Sequence, residues 1–227
     1  MKKIGLTNNQ LKLIAMVSMT LDHIGHMLFP WVIWLRLVGR LAFPIFAYMV
    51  AEGCVHTRNI KRYWGQMALI AAACQVVSFL VEGSIEQCIL VTFSLAIGLI
   101  ILVKNAQERK TTVAWSAFAV GVAAAFVITE ILPNVIDGFI VDYNFVGVVL
   151  PLCVYLAKDK LSKLAVCGIC LCLLPIGVWW GQWFALLAIP LLALYSNQRG
   201  KWKMKWLFYF YYPAHMAALW LLAAIIY

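Results

Sequence analysis

The first quarter of the sequence concentrates ionisable side chains within an otherwise apolar segment. Residues 21–44, LDHIGHMLFPWVIWLRLVGRLAFP, hold one carboxylate, two imidazoles and two guanidiniums: Asp22, His23, His26, Arg36 and Arg40. Histidine accepts and returns protons near neutral pH without a large perturbation, while carboxylates and guanidiniums hold partners or developing charge in place. This combination is typical of proton transfer and acid–base catalysis.

The composition of the chain predicts that these side chains lie inside a membrane. Of the 227 residues, 65% are hydrophobic and 12% are charged, whereas ordinary soluble domains are roughly half apolar and a quarter charged. Apolar runs of about 17 to 25 residues recur, and each is long enough to cross a bilayer as a helix. We therefore expect one all-α integral membrane domain over residues 1–227, in which intramembrane charges mark function.

The apolar runs predict a bundle of nine transmembrane helices. Their expected positions are residues 11–30, 31–55, 61–81, 87–104, 112–132, 143–157, 161–179, 182–196 and 206–226. A capping box of Thr7 and Gln10 precedes the first helix. The basic clusters follow every second helix, so the positive-inside rule places the N-terminus in the cytoplasm and Tyr227 outside. This distribution accounts for the net charge of +9, and we expect no binding to nucleic acid.

Helix geometry predicts that four ionisable residues meet at one depth. With a rise of about 1.5 Å per residue, Asp22 and His23 lie roughly 10 to 12 Å below the outer membrane edge, and Arg40 descends about as far on the second helix. His215 lies about 14 Å above the inner edge on the ninth helix, close to the midplane. A structural clamp and a catalytic layer are both compatible with this pairing of Asp22 and Arg40. Arg36 either joins the layer or only extends to the outer surface.

Metal and redox chemistry have little support in the sequence. Seven cysteines are present, and the stretch CGICLC contains a CxxC spacing. Its flanks are aliphatic and no second ligand pair follows, so buried apolar cysteines are the better interpretation, and we expect no metal. P-loop, HExxH and GxSxG motifs are absent from the sequence, which disfavours a soluble-type nucleotide fold, a zinc peptidase and a serine nucleophile.

Several segments of the chain resemble the TraX family of conjugal transfer proteins, and the resemblance extends along essentially the whole sequence. It is carried by LKLIAMVSMTLDHIGHMLFP, LRLVGRLAFPIFAYMVAEGCVHTRNIKRY, YSNQRGK and YFYYPAH. The named member of that family is associated with N-terminal acetylation of conjugative pilin. The resemblance therefore implies a multi-pass acyltransferase of the inner membrane that uses acetyl-CoA. It does not name the acceptor, which is a peptide amine, a glycan hydroxyl or a small molecule.

Under that resemblance, the ionisable residues acquire roles. His23 or His215 would act as the base, Arg40 would stabilise the oxyanion, and Asp22 would hold the arginine or an imidazole. Basic side chains in the cytoplasmic loops would bind the phosphates of coenzyme A, and one face of the second helix would line a slot for its pantetheine arm. The residues expected to contact the cofactor are Tyr48, Glu52, His56, Arg58, Arg62, Arg199 and Lys201.

Two other functions use the same residues. In a proton-coupled transporter, the buried aspartate, histidines and arginine would form a proton relay. In a structural subunit that stabilises partner membrane proteins, the polar layer would serve helix packing. Of the three, only the acyltransferase requires coenzyme A. The sequence does not fix an oligomeric state.

The predicted topology can be tested by cysteine accessibility in a cysteine-free background. Gln198→Cys, in a basic loop, should react with an impermeant thiol reagent only after the cells are permeabilised, because that loop is expected in the cytoplasm. Ser84→Cys, in an acidic loop, should react in intact cells. Labelling of Gln198→Cys in intact cells would overturn the topology.

Overall fold

The computed structural model describes residues 5–174, 179–200 and 205–227, and its regular structure is helical. The helices are α1 (Asn8–Met27), α2 (Ile33–Gly39), α3 (Ala42–His56), α4 (Ile60–Glu82), α5 (Ile89–Arg109), α6 (Thr112–Phe126), α7 (Leu132–Val135), α8 (Asn144–Leu156), α9 (Lys160–Leu173), α10 (Ala188–Ala193) and α11 (Lys205–Ile226). A π-helical turn, Val127–Ile131, joins α6 to α7, and a 3₁₀ helix, Trp180–Leu187, leads into α10. Extended pairing within the described ranges is limited to two isolated bridges. The prediction of an all-α fold is confirmed.

The lengths of the apolar helices suit a membrane protein. Four helical stretches are long and apolar enough to cross a membrane: Ile33–His56, Ile60–Glu82, Ile89–Arg109 and Thr112–Val135. Three shorter apolar stretches are Asn144–Leu156, Trp180–Ala193 and Phe210–Ile226. The count of nine spans and the cytoplasmic N-terminus stay predictions.

The second expected helix, residues 31–55, is interrupted at Arg40 and Leu41, so the prediction of one continuous helix was wrong there. Pro44 explains the interruption. A proline has no amide hydrogen, and its ring clashes with the carbonyl four residues earlier, which is that of Arg40. The Arg40 N–H still bonds to the Arg36 carbonyl at 3.2 Å, so α2 closes before α3 begins.

Two other predicted boundaries were also wrong. The helix expected at 87–104 continues to Arg109, because its polar extension KNAQER consists largely of good helix formers. It stops at Lys110, whose φ of 54° is left-handed and closes the helix. The segment expected as one helix at 182–196 begins as a 3₁₀ helix, and the α-helix that follows ends at Ala193.

The chain forms two compact units, Met1–Met49 with Lys160–Tyr227, and Val50–Asp159. The division falls inside α3. The four residues expected to be catalytic all belong to the first unit.

In the first unit, the beginning of α1 is fixed by its own cap and by the segment after α10. The predicted capping box is confirmed: Thr7 Oγ1 accepts a hydrogen bond from the Gln10 amide at 3.3 Å, and Gln10 Oε1 accepts one from the Thr7 amide at 2.8 Å. Leu6 donates its backbone N–H to the Leu194 carbonyl at 2.8 Å, and its own carbonyl accepts from the Ser196 amide at 2.9 Å. These bonds tie together two stretches of the chain nearly two hundred residues apart.

Close packing of α1 against α2 depends on two glycines. A Cβ atom added at Gly39 would lie 2.3 Å from the Cβ of Asp22, and one added at Gly25 would lie 2.7 Å from the Cβ of Leu35. Small residues at such crossings let helix backbones approach closely, as is common between membrane helices. The two glycines thereby allow side chains of α1 and α2 to interact directly.

In the second unit, α5 is the central helix, with α4, α6 and α8 packed against it. Its side chains Ile97 and Ile100 are completely buried. The π-helical turn carries Glu130, whose Oε1 accepts a hydrogen bond from the Phe145 amide at 2.7 Å, at the start of α8. A carboxylate at that position interacts favourably with the positive end of the helix dipole.

Substitution of Gly39 should separate α1 from α2. Gly39→Ala places a methyl group where Asp22 lies, and overpacking of this kind costs about 1–3 kcal/mol. We expect a lower midpoint of thermal unfolding in detergent. Gly168→Ala on α9 is the matched control, because nothing lies within 4 Å of the added atom and alanine favours the helix. Equal unfolding midpoints for the two variants would show that the close approach of α1 and α2 at Gly39 does not contribute to stability.

Candidate functional site

Helix α1 brings the four predicted catalytic residues together. Asp22 and His23 lie on α1, Arg40 lies at the break between α2 and α3, and His215 lies on α11. Consecutive helical residues point about 100° apart, so Asp22 contacts the α2 segment while His23 contacts α11. The site therefore consists of two adjoining clusters, an arginine–aspartate cluster and a histidine pair.

The arginine–aspartate cluster comprises Asp22, Arg36 and Arg40. Arg40 Nη2 donates hydrogen bonds to both carboxylate oxygens of Asp22, and Arg36 Nε donates to Oδ1 at 3.1 Å. Arg40 Nε also donates to the Arg36 carbonyl at 3.3 Å. The side chains of Asp22 and Arg40 are only 18% and 11% exposed. One carboxylate therefore holds two guanidiniums in a largely desolvated place, where charge-assisted hydrogen bonds are strong.

Arg36 is the cluster member whose role the sequence left open. Its Nη1 donates to His26 Nδ1 at 2.8 Å, because a guanidinium can only donate. Two of its nitrogens thus bind side chains of α1, and Arg36 belongs to the cluster instead of only extending to the surface. The available signal was its spacing, since residues four apart share a helix face and Arg36 precedes Arg40 by four.

Two residues at the 3₁₀ helix complete the cluster, and the sequence analysis did not anticipate them. The guanidinium carbons of Arg36 and Arg40 lie 5.6 Å and 5.7 Å from the ring centroid of Trp179, within the range of cation–π attraction. Gln182 Oε1 accepts a hydrogen bond from Arg40 Nη1 at 3.2 Å. The segment VWWGQ holds no ionisable residue, although its aromatic and amide side chains are common partners of arginine.

The histidine pair joins α1 to α11. His23 Nδ1 lies 3.0 Å from His215 Nε2, and the two ring centroids are 5.0 Å apart. His215 is buried, with 8% of its surface exposed, and His23 is half-buried. A second contact lies one turn away, where the hydroxyls of Thr20 and Tyr211 are hydrogen-bonded. The two contacts fix α11 against the part of α1 between Thr20 and His23.

The hydrogen bonds of the pair determine which nitrogens carry protons. His215 Nδ1 lies 2.8 Å from the Tyr211 carbonyl, which can only accept, so Nδ1 carries the hydrogen. In the neutral ring, His215 Nε2 is then an acceptor, and His23 Nδ1 must donate to it. The lone pair of neutral His23 therefore resides on Nε2. This nitrogen has no hydrogen-bond partner among the residues that the structure describes.

Tyrosine rings surround the histidine pair. The Tyr211 ring stacks on His215, with centroids 5.1 Å apart and an interplanar angle of 17°. Tyr212 meets the rings of His215 and His23 edge-on at 5.4 Å and 6.2 Å. The YYPAH segment thus supplies both the buried histidine and its aromatic walls. Helix α11 runs through Pro213 without interruption.

The described residues expected to contact coenzyme A lie on α3, between α3 and α4, on α4 and after α10. On α3, Tyr48 and Glu52 are buried, at 1% and 3% exposure. His56 is exposed, and its Nδ1 lies 2.9 Å from the Glu52 carbonyl and 3.7 Å from Glu52 Oε2. Tyr48 packs edge-on against Tyr195 with ring centroids 6.2 Å apart. Tyr48 and Glu52 thus have packing partners of their own.

The basic candidates are mostly at the surface. Arg58 and Arg62 are exposed in the second unit, and Arg199 is exposed in the first. Lys201 lies outside the described residues. Asn59 caps α4, because its Oδ1 accepts a hydrogen bond from the Arg62 amide at 2.9 Å. Binding of phosphates by these side chains stays a prediction.

Comparison with known proteins identifies the family. A model of the TraX protein family matches residues 7–223. The chain belongs to the TraX family. Over 96% of its length, this TraX-family chain is 25% identical to a probable fimbrial assembly protein, FimC of serogroup H1, from Dichelobacter nodosus, and the match covers 96% of that protein. A stretch of 44 residues, 18% of each chain, is 46% identical to an uncharacterized protein of Rickettsia prowazekii (strain Madrid E). No solved structure matches the TraX-family chain significantly.

Removal of the Asp22 charge should destabilise this TraX-family protein severely. Asp22→Asn keeps the side-chain shape but leaves two guanidiniums without their counter-charge, and loss of one partner of a buried pair costs about 3–5 kcal/mol. The thermal unfolding midpoint in detergent should fall well below that of Asp137→Asn, which makes the same change at an exposed position. If the two variants unfold at the same temperature, the cluster does not stabilise the fold.

Proposed function

We propose that this chain is a membrane acetyltransferase that moves an acetyl group from acetyl-CoA to an amine or hydroxyl acceptor. The observation that carries the proposal is the His23–His215 hydrogen bond, which leaves the lone pair of His23 on Nε2. An imidazole lone pair that can take a proton, beside two guanidiniums that can stabilise negative charge, provides the groups that acyl transfer requires. The association of the TraX family with pilin acetylation supports the same reaction class.

In the proposed reaction, the acceptor nitrogen or oxygen attacks the carbonyl carbon of the thioester while His23 Nε2 takes its proton. The carbonyl electrons move onto oxygen, which gives a tetrahedral oxyanion. When these electrons return, the carbon–sulfur bond breaks and the thiolate of coenzyme A takes the proton from His23. The products are the acetylated acceptor and free coenzyme A. Direct transfer needs no covalent acyl-enzyme.

His215 acts in this proposal as a positioning residue. Its Nδ1 is anchored on the Tyr211 carbonyl, so its Nε2 is directed at His23. By accepting the His23 Nδ1 hydrogen, it selects the tautomer whose Nε2 is basic and stabilises the imidazolium that forms. A carboxylate performs the equivalent task in other nucleophile–base arrangements.

The guanidiniums supply positive charge for the oxyanion. Asp22 holds both of them before the reaction begins, so little reorganisation is needed as negative charge develops. Arg36 is the more accessible of the two, since its side chain is 29% exposed and that of Arg40 is 11% exposed. We therefore assign Arg36 to the oxyanion together with Arg40, the residue expected from the sequence.

The donor and the acceptor approach from different sides in this proposal. Acetyl-CoA is too highly charged to cross lipid, so it enters from the cytoplasm, where the basic loops are expected. The exposed candidates for its phosphates are His56, Arg58, Arg62 and Arg199. The similarity to a probable fimbrial assembly protein favours a pilus subunit amine as acceptor. The enzyme would then work in the inner membrane.

Reconstituted protein should transfer label from acetyl-CoA to a component of membrane extracts, which mass spectrometry would identify. His23→Ala should lower the rate by about 100-fold to 10,000-fold, as expected for a lost general base. His215→Gln should retain more activity than His215→Leu, because an amide oxygen can still accept the His23 Nδ1 hydrogen. Unfolding midpoints near that of the wild type would exclude misfolding as the cause.

Two outcomes would contradict this proposal. Near-normal transfer by His23→Ala would show that His23 is not the base. If wild-type protein forms no labelled product with the extract of the cell from which it derives, the proposed acetyl transfer is wrong.

A further inference from the structure

The charges of the arginine–aspartate cluster do not balance. Arg36 and Arg40 carry two positive charges, and Asp22 supplies one negative charge. Asp22 is also the only Asp or Glu in the sequence of the unit formed by Met1–Met49 and Lys160–Tyr227. The sequence of this unit therefore offers the two guanidiniums no second Asp or Glu. Buried charges are normally paired.

Gln182 gives a second, independent sign of a missing partner. The residue is buried, at 5% exposure, and its Oε1 accepts from Arg40 Nη1. Arginine has no acceptor, so this bond fixes the orientation of the amide. Its Nε2 is therefore a donor, and it has no hydrogen-bond partner in the part of the chain that the structure describes. An unsatisfied buried donor destabilises the folded state.

Arg36 adds donors at the same place. Its Nε and Nη1 bind Asp22 and His26, while its Nη2 has no hydrogen-bond partner among the described residues. Trp179 lies against both guanidiniums, and its ring contacts Gly181 so closely that an added Cβ would come within 2.2 Å of a ring carbon. The guanidinium donors thus pack against Trp179, whose ring is itself in close contact with Gly181.

We infer that Arg36, Arg40 and Gln182 form a binding site for a compact oxyanion, a carboxylate or phosphate group. The group would neutralise the excess charge and accept hydrogen bonds from Gln182 Nε2 and Arg36 Nη2. It is either a soluble anion or part of a lipid headgroup. The observations behind this site are its charge and hydrogen bonding and do not depend on acetyl transfer. An anion bound there would occupy the guanidiniums that the proposed reaction assigns to the oxyanion.

The substitution Gln182→Glu tests this inference directly. The new carboxylate keeps an acceptor for Arg40, cancels the excess charge and removes the unsatisfied donor. Gln107→Glu, at an exposed position on α5, is the control for the change in net charge. Purified variants would be unfolded thermally in detergent with sodium phosphate or sodium acetate, against sodium chloride of equal ionic strength. A second arm would compare nanodiscs of phosphatidylglycerol and phosphatidylcholine.

At an anion concentration about tenfold above its dissociation constant, wild-type protein and Gln107→Glu should gain roughly 3–6 °C in unfolding midpoint. Gln182→Glu should gain nothing and should be at least as stable as wild type without the anion. Stabilisation by phosphate or acetate assigns the site to a soluble anion, and stabilisation by phosphatidylglycerol alone assigns it to a headgroup. If wild type and Gln182→Glu respond alike in every arm, the inference is wrong.

Discussion

The contact between α1 and α2 depends on a single carboxylate, Asp22. It binds two guanidiniums from the following helical segment, and Gly39 lets that segment approach closely enough for the contact to form. A charge in a largely desolvated place is costly unless it is paired, so the pairing constrains the crossing of α1 and α2. This contact also accounts for the position of the break between α2 and α3 at Arg40. Pro44 ends α2 at the point where the Arg40 side chain must turn toward α1.

The same helix carries the proposed base, His23, on its next residue. Because Asp22 faces α2, His23 faces α11, where His215 and Tyr211 set its tautomer. His23 therefore lies beside the two arginines without competing with them for the hydrogen bonds of Asp22. The clusters share α1, so any shift of this helix would disturb both. This coupling is a physical reason for the many polar contacts that fix α1, from its capping box to the bond between Thr20 and Tyr211.

The sequence predicted much of this arrangement, because helix length, rise per residue and charge are local properties. Composition indicated a helical membrane protein, and depth arithmetic selected Asp22, His23, Arg40 and His215. Local rules failed where tertiary contacts decide. Trp179 and Gln182 were placed at the ends of two expected helices, and nothing in their spacing linked them to the arginines, so they were missed as partners. The bond from His215 to the Tyr211 carbonyl depends on a rotamer, which spacing alone does not specify. Pro44 was visible as a helix breaker, yet the long apolar run suggested continuity.

Equilibrium binding of coenzyme A tests the acetyltransferase account most directly, because a proton-coupled transporter and a structural subunit have no need of that ligand. Detergent-solubilised protein would be titrated with labelled coenzyme A, and unlabelled acetyl-CoA would be added as competitor. The account predicts saturable binding that acetyl-CoA displaces and that His23→Ala leaves unchanged, since the proposed base acts on the acceptor proton and not on the phosphates. An absence of saturable binding by folded wild-type protein would contradict the account.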